Sequence, residues 1–163
     1  LTRTGQSIRL LPALGLDMGL GDVIAHKAVS IANTRGFAVE WTTLVLLAHG
    51  SSKDSASRLA TERLARHIGQ RTLFRRVGAA FLEEPPAIDE VMRETKRPVV
   101  IVGLFSGYGL HGAHDVNAMM ASLEQHEVVF AGNIISFPEL ADVVAGGVRR
   151  YLHAERTGGL AAI

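Results

Sequence analysis

The sequence contains no cysteine. That removes disulfides, thiolate nucleophiles and every sulfur-bound zinc or iron–sulfur site, and leaves histidine and carboxylate as the strong metal-ligating groups. Long apolar runs are also missing. None approaches the roughly 18 residues of a membrane span, and no charged region followed by an apolar core opens the chain, so a soluble cytoplasmic protein without a membrane partner is expected. Charge of one sign is lacking too: the formal net charge is +1, without the basic excess expected of a nucleic-acid surface. The chain opens at Leu1 instead of Met, as expected of a fragment or a processed chain. What is present in quantity is apolar side chain, 47% of 163 residues, enough for about one packed domain. Seven histidines also need places.

From residue 43 onward, short apolar runs alternate with helical patterns. "TLVLLA" (43–48) reads as a strand covered on both faces. In the next segment, Ala56, Leu59, Ala60, Leu64 and Ile68 recur on one helical face, with Ser52 and Asp54 as candidate caps. "RVGAAFL" (76–82) is a second strand, and Pro85 and Pro86 open a helix with Ile88, Val91 and Met92 inward. "PVVIVGLF" (98–105) is a third strand, followed by a helical stripe of Val116, Met119, Met120 and Leu123. "VVFAGNII" (128–135) and a helix over 138–152 complete the series. The βαβαβαβα order predicts an α/β fold, a parallel sheet flanked by helices with flavodoxin- or Rossmann-like topology.

The first forty residues do not open this unit but resemble a copy of its end. A shift of 120 positions sets "LGDVIA" (20–25) on "LADVVA" (140–145) and Ile8 on Val128. The expected organisation is therefore the terminal strand and helix of a preceding repeat in residues 1–36, a linker near 37–42, and a nearly complete α/β domain over 42–153. The plain alternative is that any strand–helix pair matches another at some offset.

In a parallel sheet, ligands gather where the strands end. His49 follows the first strand, Glu83 and Glu84 the second, His111 and His114 the third. Imidazole and carboxylate thus converge on one edge, a set suited to borderline divalent ions. Taken singly, each has a plainer reading: a loop histidine making a hydrogen bond, or Glu84 capping the helix after the prolines. Asp115 fits a cap for the helix starting at Val116. His67, His126 and His153 fall at helix ends, where imidazolium meets the C-terminal dipole, and His26 has no evident partner. Gly107, Gly109 and Gly112 spell G-x-G-x-x-G. That strand is the third of the unit, and no acidic residue ends the next one, which argues against a dinucleotide site. The glycines fit better as a tight turn against a flat ligand. His49-Gly-Ser-Ser52 resembles an anion cradle at a helix start, flanked by Lys53 and Arg58.

With these residues placed, the sequence resembles the small ATP-independent (class II) chelatases, the sirohydrochlorin cobaltochelatase and ferrochelatase family of cobalamin and siroheme synthesis. The motifs are "LVLLAHGSS" (44–52), "AAFLEEPPAIDEV" (79–91) and "VVIVGLFSGYGLHGAHDV" (99–116), in the family's order. The resemblance implies two similar α/β halves, in one chain or as a homodimer, with the tetrapyrrole between them. It implies a lyase that inserts a divalent metal, cobalt or iron, into sirohydrochlorin or a related tetrapyrrole, the ion being a substrate and no nucleotide being used. By the same resemblance His49 and His111 match the metal-binding histidines, and Glu83 the glutamate of the "AFLE" motif. Ser51, Ser52, Gly107, Tyr108 and Gly109 are the expected substrate contacts. His114 has no assigned counterpart. The competing reading is a non-catalytic metal-binding or partner-binding half whose companion does the chemistry.

Overall fold

Residues Thr43–Ala48 (β1) are buried without exception. They form a strand because β-branched and aliphatic side chains suit a pleated surface packed on both faces. β1 pairs in parallel with Arg76–Phe81 (β2) on one side and Val99–Gly103 (β3) on the other; β3 pairs with Val128–Asn133 (β4). The four-stranded sheet has the order β2-β1-β3-β4. This computed structural model describes residues 10–105 and 127–156. The expected all-parallel α/β architecture is present. The helical stripe from Val116 to Leu123 lies outside the described residues.

Alternation along the strands divides the core into layers. Leu44, Leu46, Val100, Val102 and Val129 face helices Gly19–Thr34 (α1) and Ala56–Gly69 (α2). Val45, Leu47, Ala80 and Ile101 face Ile88–Glu94 (α3), whose Ile88 and Met92 are buried. The buried stripe of α2 is Thr61, Leu64, Ala65 and Ile68. The expected stripe began earlier, yet Ala56 and Leu59 are exposed. The first turn of α2 reaches past the core, where Ser57 and Ala60 line a concavity beside His49. Gly21 of α1 meets the other end of α2: a Cβ there would stand 2.9 Å from His67 Cδ2.

The N-terminal segment belongs to this packing. Leu20, Gly21, Ile24, Ala28 and Ala32 of α1 are all buried, and α1 shares its core with β1, β3 and β4. The strand expected near residue 8 is not seen at Leu10, which is exposed and irregular; Ile8 and Arg9 lie outside the described residues. The 37–42 linker contains one 3-10 turn, Val39–Trp41, before β1.

The last helix, Leu140–Arg156 (α4), contrasts with α1. It touches α1, and its Arg150 forms a close ion pair with Asp17, but Val144, Val148 and Leu152 are 47%, 38% and 51% exposed. At the 120-residue shift these three correspond to Ile24, Ala28 and Ala32. The same stripe is buried in one helix and bare in the other. No helix among the described residues is long and apolar enough to cross a membrane.

Two substitutions test this contrast. Ile24→Ala should cost about 2–5 kcal/mol because the cavity opens in a closed core, whereas Val144→Ala should stay within about 0.5 kcal/mol. Urea unfolding of the two variants measures both, and a small loss at Ile24 would mean that α1 is not part of this core.

Candidate metal centre

His49 is the first residue beyond β1, and the chain after β2 is tied to it through the backbone. Leu82 N–H donates to Ala48 and His49 oxygens at 3.2 Å each, and Glu83 N–H donates to His49 O at 3.0 Å. These bonds bring Glu83 beside His49. Its Oε2 lies 3.7 Å from His49 Nδ1, and both side chains are 58% exposed. That separation is too long for a good hydrogen bond and leaves both groups open to a third partner. His49 Nδ1 is also 3.3 Å from Gly50 O.

β3 leaves the sheet at the same edge. Leu104 N–H donates to Leu47 O at 2.7 Å, so the segment leading to the glycine loop starts beside β1's carboxyl end. His111, Gly107, Tyr108, Gly109, His114 and Asp115 lie outside the described residues. Among the described residues no three potential ligands converge; His49 and Glu83 supply two.

The expected anion cradle has its own occupants. Ser51 N–H donates to Glu84 Oε1 at 3.0 Å, and Ser51 Oγ accepts from Lys53 and Asp54 N–H at 3.2 and 3.3 Å. Asp54 Oδ1 accepts from Ala56 N–H at 2.8 Å at the start of α2. Ser52 and Lys53 are exposed. Arg58 is turned to carboxylates, 3.2 Å from Glu84 Oε2 and 3.7 Å from Glu62 Oε1.

Glu84 does not cap α3. That position is filled by Glu90, whose Oε2 accepts from Ala87 N–H at 3.1 Å. Residues 82–87 fold back on β2, with Phe81 N–H donating to Pro86 O at 3.0 Å, and this turns Glu84 toward the loop after β1. The sequence reading also missed Leu14 and Gly15. With Ala48, Ala60, Leu104 and Ile134 they line an apolar concavity of about 300 Å³ that includes His49. Nothing in their local sequence signals it, because residues more than thirty positions upstream reach the site only through tertiary packing.

The sequence profile of CbiX proteins matches residues 43–151. The chain belongs to the CbiX family. A probable sirohydrochlorin cobaltochelatase of Halobacterium salinarum is 24% identical over 153 residues, covering 85% of this chain and 52% of its own length. The solved structure of CbiX, described as the terminal enzyme for siroheme biosynthesis in denitrifying bacteria, is 24% identical with a TM-score of 0.76, over 87% of this chain and 62% of that one. SirB from Bacillus subtilis with Fe3+ is 19% identical with a TM-score of 0.74, over 90% and 59%. This chain thus spans about half the length of the curated relative it matches and about three fifths of those solved chains.

Within this CbiX fold, Gly50 stands where a side chain is poorly accommodated. Its φ is +76°, and a Cβ would meet Glu84 Cγ and Oε1 at 2.9 Å and Phe81 Cβ at 3.1 Å. Gly50→Ala should cost about 1–3 kcal/mol from the left-handed backbone alone. Thermal and urea unfolding against wild type measure the loss, and unchanged stability would contradict the close approach of residues 50 and 84.

Proposed function

We propose that this chain forms the metal-handling half of a sirohydrochlorin chelatase, which inserts a divalent ion such as cobalt or iron into a free tetrapyrrole without a nucleotide. The observation that carries the reading is the open His49–Glu83 pair at the carboxyl edge of the sheet, next to an apolar concavity, in a CbiX-family chain.

Insertion requires the ion to shed water and two pyrrole N–H protons to leave while the ring is held. Neutral imidazole suits both tasks. It binds a borderline ion with moderate strength, and it takes a proton near neutral pH. In this reading His49 and His111 hold the ion and Glu83 completes the site or accepts a pyrrole proton. Both pyrrole protons pass to protein bases and then to water, and the protein ligands let go of the ion, as it forms bonds to the four ring nitrogens. The side chains of Leu14, Ala60 and Leu104 offer a dry surface to the macrocycle. Ser51, Ser52 and Lys53, the last two exposed, receive its carboxylates in this reading, with Gly107, Tyr108 and Gly109 as further contacts from the β3 loop.

A flat ring also needs a second wall. We assign it to a second chelatase-like half, supplied by a homodimer or by an upstream repeat. The bare stripe of Val144, Val148 and Leu152 on α4 supports this, since its counterpart on α1 covers a sheet. Beside it, Leu11, Leu14, Leu16, Val143 and Tyr151 line an apolar groove of about 730 Å³.

Spectroscopic insertion assays with Co2+ and sirohydrochlorin test the chemistry. His49→Ala and His111→Ala should each lower the rate at least 100-fold, on the order expected when an essential base or ligand is lost, with circular dichroism unchanged because loop ligands add little to the core. Wild-type rates in either variant would remove the assigned role. Assembly is checked by light scattering on the same samples: activity should track the species with two halves, and a strictly monomeric 163-residue chain with full activity would refute the second wall.

A further inference from the structure

Glu83 and Glu84 are adjacent in sequence but face opposite ways. Glu83 is 58% exposed beside His49, whereas the Glu84 side chain is only 10% exposed, beneath the loop that follows β1. A carboxylate so far removed from water needs compensation, and it has two partners, the Ser51 N–H at 3.0 Å on Oε1 and the Arg58 Nε at 3.2 Å on Oε2. Gly50 makes the arrangement possible, because any side chain there would fall on Glu84 at 2.9 Å.

The backbone bonds from Leu82 and Glu83 hold His49 from the β2 side. The Glu84 carboxylate holds the same loop one residue further on, at Ser51, and anchors it to the first turn of α2 through Arg58. His49 therefore sits between two fixed points, its own carbonyl and the Ser51 amide. We infer that Glu84, braced by Arg58, is a positioning residue for the metal site, setting the His49 imidazole at the distance from Glu83 that a shared ion requires. Groups that orient ligands in this way affect metal affinity by about 10- to 100-fold when removed, even without touching the ion. The catalytic meaning of this role rests on the chelatase reading, but the test does not.

The test measures Co2+ affinity of the full chain by calorimetry, together with hydrogen exchange at the Ser51 amide and thermal unfolding. His49→Ala identifies the site by abolishing binding. Glu84→Ala should lower Co2+ affinity about 10- to 100-fold and accelerate exchange at Ser51. Glu84→Gln, which keeps an oxygen for the Ser51 N–H, should recover most of the affinity. Arg58→Met loosens the carboxylate from the exposed side, should weaken Co2+ binding in the same direction, and carries the test if Glu84→Ala does not fold. Wild-type Co2+ affinity in folded Glu84→Ala or in Arg58→Met overturns the inference, as does a lower melting temperature with unchanged affinity. No Co2+ binding by the wild type overturns it together with the metal centre. The expected affinity pattern without any insertion by the wild type would remove the chelatase reading and leave the positioning role standing.

Discussion

Everything in the site hangs on the burial of β1 between two parallel neighbours. With β2 and β3 bonded along its edges and helices on both faces, β1 cannot slide, since a one-residue slip would turn Leu44 and Leu46 out of one layer and Val45 and Leu47 out of the other. The point where it ends is therefore fixed. Parallel pairing then brings the exits of β2 and β3 to the same edge as His49, so a carboxylate and the β3 loop arrive there without any local sequence encoding their proximity.

The rigid strand end does not by itself aim an exposed imidazole. That task falls to the short-range bonds just beyond the sheet, and these are made by groups of different character. Backbone amides of Leu82 and Glu83 take the His49 carbonyl, while a buried carboxylate, Glu84, takes the Ser51 amide. Two neighbouring glutamates thus divide the work. The exposed one keeps its lone pairs available and the buried one spends its own on the loop. The division follows from the reversal at 82–87, which presents successive side chains to opposite sides of the turn.

Much of this was legible in the sequence because it depends on periodicity. The strand at 43–48 is a run with no polar interruption except Thr43, helical spacing located α2, and the 120-residue shift paired the helix of the first forty residues with α4. The convergence of His49 and Glu83 was legible because it follows from parallel topology alone. What could not be read has a common physical cause: it depends on where a turn points a side chain. Glu84 reads as a cap for a helix opened by Pro85 and Pro86, yet the helix begins at Ile88 and Glu90 accepts from the Ala87 amide at its start. Likewise, nothing in the His49–Ser52 stretch signals that Glu84 accepts from the Ser51 amide. The shift of the α2 stripe toward Thr61 is of the same kind, since periodicity gives the spacing of a face but not the point at which the helix outruns its sheet.

The openness of the site fits the chemistry proposed for it. A resident structural metal is enclosed by a full set of ligands, which hold it through the lifetime of the protein. An ion that is a substrate must instead be captured from water and then surrendered to four nitrogens of a macrocycle. In the proposed reading, His49 and Glu83, more than half exposed and with Oε2 3.7 Å from Nδ1, are ligands that an incoming ring can displace. Tight, closed coordination would improve capture and block release. On the proposed reading, the fixed loop beneath an exposed pair reconciles these demands: His49 and Glu83 are accessible, so the ion can leave, and they are held in place, so it need not organise them on arrival.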